Sequence, residues 1–374
     1  MDPSSTDNLR QFLVNEISSL VAIPSPSGRE KGVADYVFSR LKEAGLSPQR
    51  DNDDNVWAET GSGRKRLQVN AHMDTVVPVG SWTTDPYKAK LDGDLLHGLG
   101  SSDCKAGIAS MLWLVSRAKP AVRVLWTFTV CEEGMDLPKP NGSVRMAAMG
   151  GDWVVACEPT CEGESPMLGI GTQGHARASV TFKGKAAHSS LPEDGENAVY
   201  AAARFCAALE RLNASFKESV IAPGAVARAS VAPTIVNGGT LVNIIPDECR
   251  VMVSRRLAPG ETVRTLEEEL AGLLKDEKAS WTISNDGAGA VTRMDGALLC
   301  AARRASAAVG GGERLVFSRG RTDAVIYSAA GMDSLTVGPG QMGQCHVAGE
   351  YVDLRGAVKC TNLLENLING LPDR

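Results

Sequence analysis

The sequence predicts an α/β protein, a mostly parallel sheet covered by helices, with a smaller α+β domain inserted into it. Three observations predict this. Apolar strand-like runs alternate with helical patterns through the first half, the order that parallel strands joined by crossover helices require. From about residue 174 the order becomes strand, helix, strands, helix, strand, and after about Asn285 the first pattern resumes. At 374 residues the chain is also long for a single core, which favours two domains.

Taken in order, "RLQVNAHMD" (66–74), "VRVLWTFTV" (122–130) and "DWVVACEP" (152–159) are short apolar runs rich in β-branched and aromatic residues, and read as strands. Between the first two, Cys104–Ser116 carries Ile108, Met111, Leu112 and Val115 at helical spacing. The inserted part opens with "HARASVTFKGKAAHSS" and continues through a helix near Asn197–Leu212, the strand "ECRVMVSRRLAPGE" and a helix near Thr262–Lys275. A helix at Gly296–Val309, the strand "DSLTVGPG" and a helix near Leu354–Leu371 complete the chain. The expected division is 1–173 with 286–374 for the larger domain and 174–285 for the insertion.

Thirty-nine basic against 44 acidic residues give a net charge of −5 without long runs of one sign, so nucleic acid is not an expected partner. No stretch approaches the roughly 20 apolar residues of a membrane span, and the first residues lack a basic segment followed by an apolar one. The expectation is a cytoplasmic protein away from membranes. Nine cysteines without a C-x-x-C pair argue against a disulfide framework and a thiolate zinc site.

Chemistry concentrates at strand ends. In "VNAHMDTV", His72 and Asp74 are two apart at the end of a strand and share a face. "GLGSSDCKAG" places Asp103 where a loop meets a helix, a position that also suits a helix cap. "TFTVCEEG" ends a buried strand in the adjacent acids Glu132 and Glu133, "ACEP" ends another in Glu158, and "GQCHVAGEY" sets His346 after the last strand. In an open α/β sheet the strand C-termini form the ligand crevice, and each of these residues falls there. Two imidazoles and several carboxylates suit a pair of borderline divalent ions such as zinc.

The ordered set "HMDT", "GLGSSDCKAG", "CEEG", "ACEPT", "GKAAHSS" and "GQCHVAGEY" resembles the di-zinc metallopeptidase family that includes acetylornithine deacetylase, succinyl-diaminopimelate desuccinylase, aminoacylase and glutamate carboxypeptidase. The likeness runs over nearly the whole chain. It implies a zinc-peptidase catalytic domain and a ferredoxin-like dimerisation domain. It makes Asp103 the carboxylate bridging two ions, with His72 and Glu158 completing one and Glu133 and His346 the other. Glu132 would be the general base, and Asp74 would fix the His72 tautomer. His188, otherwise a surface histidine, would reach the neighbouring subunit's site as oxyanion donor. "RRLAPGE" places Arg256 against a substrate carboxylate, with Asn243 near the same pocket; an ordinary surface charge and a turn residue are the alternatives. The Gly-rich "VGPGQMG" adds Gly338 as a carboxylate-binding amide.

The implied activity is cleavage of the amide bond of an N-acyl amino acid by a homodimer that uses two divalent ions, zinc or else cobalt or manganese. A carboxypeptidase or dipeptidase acting on short peptides is the alternative. A non-catalytic amino-acid-binding protein on the same fold is a third reading. The sequence departs from the family pattern at Ser254, where an Asp is usual, and at Arg319 and Arg321, where glycines are common. His97 and His175 are expected to be structural. Cys104, Cys131, Cys157 and Cys345 each adjoin an expected ligand or base and are expected to pack beneath the site.

Overall fold

The chain opens with helices α1 (Pro3–Val21) and α2 (Lys31–Glu43), then lays down strands β1 (Gln49–Arg50), β2 (Val56–Thr60) and β3 (Arg66–His72). Helix α3 (Ala106–Leu114) leads to β4 (Arg123–Thr129), β5 (Trp153–Ala156) and β6 (Leu168–Thr172). The next stretch runs β7 (Gly174–Lys183), α4 (Ala198–Ser215), β8 (Ser230–Gly238), β9 (Glu248–Leu257), α5 (Val263–Leu274) and β10 (Ala279–Asn285). The chain returns through α6 (Ala297–Ala308), β11 (Asp333–Thr336) and α7 (Leu354–Asn369). This computed structural model describes residues 3–134, 137–285 and 287–373.

Two units result. The larger holds the chain up to Gly171, Val291–Val316 and the residues from Thr322 onward, and the smaller holds Thr172–Ala290 with Phe317–Arg321. The short return of 317–321 to the smaller unit has no counterpart in the sequence reading. Long-range contacts decide it, and no local pattern records them.

In the larger unit the strand order is β1-β2-β4-β3-β5-β11-β6. The four central strands are parallel, with β3 paired to β4 and β5, and β5 to β11. Antiparallel β2 and β6 flank them. These flanking strands escape a sequence reading because Glu59 and Thr60 break the apolar run of one and glycines dilute the other. Strand β3 is buried from Leu67 to His72, as expected of a central parallel strand. Every residue of α3 is buried, packed against α1 and α7. Arg40 Nε and Nη2 each donate to the buried Glu16 at 2.9 Å, tying α2 to α1.

The smaller unit is a four-stranded antiparallel sheet in the order β8-β9-β7-β10. Its β-α-β-β-α-β succession gives the ferredoxin-like arrangement. Alternate residues Ala176, Ala178, Val180 and Phe182 face α4 and α5, where Phe205, Leu209, Leu266 and Leu270 close the core. Arg255 also points inward, fully buried between Glu261 and Glu269 at 2.8–3.1 Å.

Candidate metal centre

The parallel strands of the larger unit end in a row, and the polar residues begin where the hydrogen-bonded ladder stops. His72 closes β3, and its side chain is 1% exposed. Its Nδ1 lies 2.9 Å from the Asp74 carbonyl oxygen. A carbonyl only accepts, so Nδ1 carries a proton, and a metal ion that displaced the Nε2 proton facing Asp103 would meet its lone pair. The Asp74 carboxylate is farther away, at 3.5 Å. Main chain and side chain of Asp74 thus both face the protonated nitrogen, and the neighbouring His72 charge holds the Asp74 carboxyl down against the effect of burial.

That carboxylate also holds the acidic pair. Asp74 Oδ1 accepts from the Glu132 amide at 3.1 Å, and Oδ2 accepts from the Glu133 amide at 2.9 Å and the Ser27 hydroxyl at 2.7 Å. Asn55 Oδ1 takes the Val130 amide at 3.1 Å, and Glu30 Oε1 takes the Cys131 amide at 3.2 Å. Four consecutive amides are thus held by buried side chains while Cys131 adopts φ +56°. This turn aims two adjacent acids into the crevice. Asn55 and Glu30 were not singled out from sequence, because both lie at least 75 residues from their partners.

Asp103 is not a helix cap. It lies in a kinked segment with φ −119° and ψ 93°, before α3, and its peptide bond to Cys104 is cis. Its Oδ1 is 3.0 Å from His72 Nε2, and its Oδ2 is 3.7 Å from His346 Nε2. One carboxylate thus offers one oxygen to each imidazole. Glu158 Oε2 lies 3.8 Å from His72 Nε2 on the first side, and Glu133 Oε1 is 2.6 Å from His346 Nε2 on the second. Ligand atoms of Asp103, Glu133 and His346 lie within 4.8 Å of one another, as do those of His72, Glu132 and Glu133.

The electrostatics fit a cation. Burial pushes the Glu158 carboxyl up to about 8, with Asp103, Asp323 and Glu133 adding to the rise. Burial likewise raises Glu132 well above its ordinary value, followed by the charges of Asp323, Glu133 and Glu158. The hydrogen bond to Glu133 lifts His346 to about 8. Carboxylates packed this closely repel one another, and two divalent ions held by Nε2 and carboxylate oxygen would reverse that balance.

Of the cysteines next to the site, Cys104, Cys131 and Cys157 are buried as packing, whereas Cys345 is only half-buried and hydrogen-bonds Asp103. Burial pushes the Cys104 and Cys131 thiols up to about 12, and Cys104 Sγ donates to the His72 carbonyl at 3.3 Å. Cys104 nevertheless has its sulfur within 4.8 Å of ligand atoms of His72 and Asp103. Asp323, not anticipated, is fully buried and accepts from Asn141 at 2.7 Å and Ser143 at 2.5 Å.

The remaining expected residues lie elsewhere. His188, Asn243 and Arg256 belong to the smaller unit. The exposed His188 pairs with Ile244, and Asn243 gives its carbonyl to the Ser189 amide at 3.0 Å. Gly338 is corrected. It is buried, its amide donates to Thr160 Oγ1 at 3.1 Å, and a Cβ there would meet the Glu158 carbonyl at 2.4 Å. Its amide is spent on packing beneath Glu158. His175 and His97 are structural, with His175 Nε2 2.9 Å from Ser254 Oγ and His97 against Tyr351.

A mainly parallel sheet with such a cluster at its strand ends, and a ferredoxin-like unit inserted, is an architecture that solved metallopeptidases share. Residues 170–282 match the peptidase dimerisation domain of the M20 family. The chain is 29% identical over 372 residues to a putative succinyl-diaminopimelate desuccinylase, DapE, of Mycobacterium tuberculosis, covering 97% of this chain and 99% of that one. It is 27% identical to the acetylornithine deacetylase of Myxococcus xanthus, covering 94% and 95%. Among solved structures it resembles a Staphylococcus aureus tripeptidase, with TM-score 0.78, 20% identity and coverage of 96% and 98%. A dinuclear metal-binding peptidase from Bacillus subtilis gives TM-score 0.71 at 18% identity, covering 97% and 98%. The chain is a hydrolase, similar over nearly its whole length to members of the M20 metallopeptidase family. No helix among the described residues is long and apolar enough to cross a membrane.

Proposed function

We propose that the chain is a binuclear amidohydrolase, zinc-dependent by its donor set, that releases the amine from an N-acyl amino acid. The observation that carries this reading is Asp103, whose two oxygens face two different imidazoles at 3.0 and 3.7 Å. In this reading His72 and Glu158 would hold one ion and Glu133 and His346 the other, with Asp103 facing both. Two bound ions supply a more acidic water and a polarised carbonyl.

The chain's own groups do the rest. Glu132 takes the attacking water's proton and returns it to the departing amine nitrogen, as base and then acid. Its raised pKa suits the second task. Asp74 keeps Glu132 and Glu133 at fixed distances through their amides. In the homodimer that the dimerisation-domain match supports, His188 donates to the developing oxyanion from the second copy. The Ser190 amide donates to His188 Nδ1 at 3.2 Å, so the neutral ring carries its proton on Nε2, ready to donate. Arg256 and Asn243 grip the substrate carboxylate.

The test is release of free amine from N-succinyl, N-acetyl and N-formyl amino acids and from dipeptides, by metal-reconstituted protein with and without a chelator. Chelator-sensitive turnover of an acyl amino acid is expected. Turnover of dipeptides alone replaces deacylase with peptidase. No turnover with both ions bound overturns the catalytic reading in favour of a binding protein.

A further inference from the structure

Glu350 is 2% exposed and lies four residues beyond His346. Its Oε1 accepts from the amides of Ser102 at 2.8 Å and Asp103 at 3.0 Å, and its Oε2 from the amide of Gly100 at 2.8 Å. Its main-chain carbonyl accepts from the amide of Gly98 at 3.0 Å. One residue therefore takes four amides of the loop that carries Asp103. The buried Lys105 faces its charge, with Nζ donating to the Ile23 carbonyl at 3.0 Å. Gly100, at φ +78°, admits no side chain, since a Cβ would sit 2.6 Å from Thr75 Cγ2.

A carboxylate is costly to bury unless its lone pairs are filled, and here backbone donors of a single loop fill them. With its amide anchored from below, Asp103 is left to aim its oxygens at His72 and His346. The same anchor begins the strand Tyr351–Asp353, which pairs with Leu95–His97 and so clips the His346 loop to the Asp103 loop.

We propose that Glu350 is a positioning residue for both ions. It sets the 98–103 loop before any ion arrives, so that Asp103 presents one oxygen to each half-site, and it ties that loop to His346. Losing this grip weakens both half-sites together. The proposal rests on the binuclear reading above.

The test uses the full chain, metal-free and reconstituted, and reads binding rather than turnover. Zinc stoichiometry and affinity are measured by competition with a chromophoric chelator, for the natural chain and Glu350→Gln. The variant is expected to bind both ions about 10–100-fold more weakly. Its cobalt-loaded form is expected to lose the spin coupling that a shared carboxylate transmits. A purely structural role would lower thermal stability but leave affinity and spin coupling as in the natural chain, and that result overturns the proposal. Should the variant not fold, hydrogen exchange on the natural metal-free chain decides. Protected Gly100, Ser102 and Asp103 amides support presetting, and free exchange overturns it. Fewer than two ions on the natural chain overturns the binuclear reading itself, whereas two ions on both chains at equal affinity removes only the role of Glu350.

Discussion

The strand ends of the larger unit and the edge of the smaller unit carry residues assigned to one reaction, and they are built in opposite ways. Around His72 and Asp103 nearly every polar group is buried and braced, with carboxylates holding the backbone of other carboxylates. Along the smaller unit's edge, β8 turns most of its residues outward, with Ile235 51% and Val236 52% exposed, and nearby Val242 is fully exposed. An exposed, apolar edge strand invites another strand. The buried cluster is braced within one chain, and the exposed apolar edge lies in the unit that matches a dimerisation domain.

The sharpest way to break this contrast is Glu132→Gln. Under the proposed function it removes a base and no ligand, so turnover is expected to fall about 10²–10⁴-fold while metal content stays at the natural level. Elemental analysis beside the amine-release assay checks it. Loss of the metals would instead make Glu132 the ligand and Glu133 the base. Next comes Arg255→Met, which strands Glu261 and Glu269 without their cation in the smaller unit. The expected cost is about 3–5 kcal/mol in denaturant unfolding of that unit, with zinc affinity unchanged. If zinc affinity falls as well, the two regions are not independent.

A third change addresses the second copy. Val242→Asp places a charge on the exposed apolar edge and is expected to shift the mass measured by light scattering to that of one chain. If His188 acts across the dimer, turnover falls with it by about 10²–10³-fold, the cost of losing an oxyanion donor, and both ions stay bound. A monomer with full turnover would make the larger unit self-sufficient.

The two regions also differ in how far the sequence reveals them. His72, Asp103, Glu132, Glu133, Glu158 and His346 can be picked out because each adjoins a run whose periodicity marks a strand or helix boundary. Glu30, Asn55 and Glu350 do comparable structural work and are not legible, because their partners lie 75–250 residues away and no local pattern joins them. Gly338 misleads for the same reason. A glycine-rich loop suggests free amides, yet Thr160, 178 residues distant, has already taken this one. In the smaller unit the order of elements is legible from alternation along β7 and β9, but the return of 317–321 is not. Short-range periodicity reports elements, and only tertiary contacts report which polar groups are already spent.

The smallest expected effect tests the independence of the two regions most cleanly. Asn197 precedes α4 in an extended conformation, and its side chain accepts from the Val199 amide at 2.9 Å. Replacing it with alanine leaves a first-turn amide without its acceptor, at a cost of about 1 kcal/mol. Helix α4 packs on the sheet of the smaller unit and contributes no ligand, so Asn197→Ala is expected to lower that unit's unfolding midpoint modestly. Zinc affinity and stoichiometry should remain those of the natural chain. A cap in the smaller unit that nonetheless altered ion affinity would mean that the braced centre draws part of its rigidity from that unit, and the division of labour between the regions would have to be redrawn.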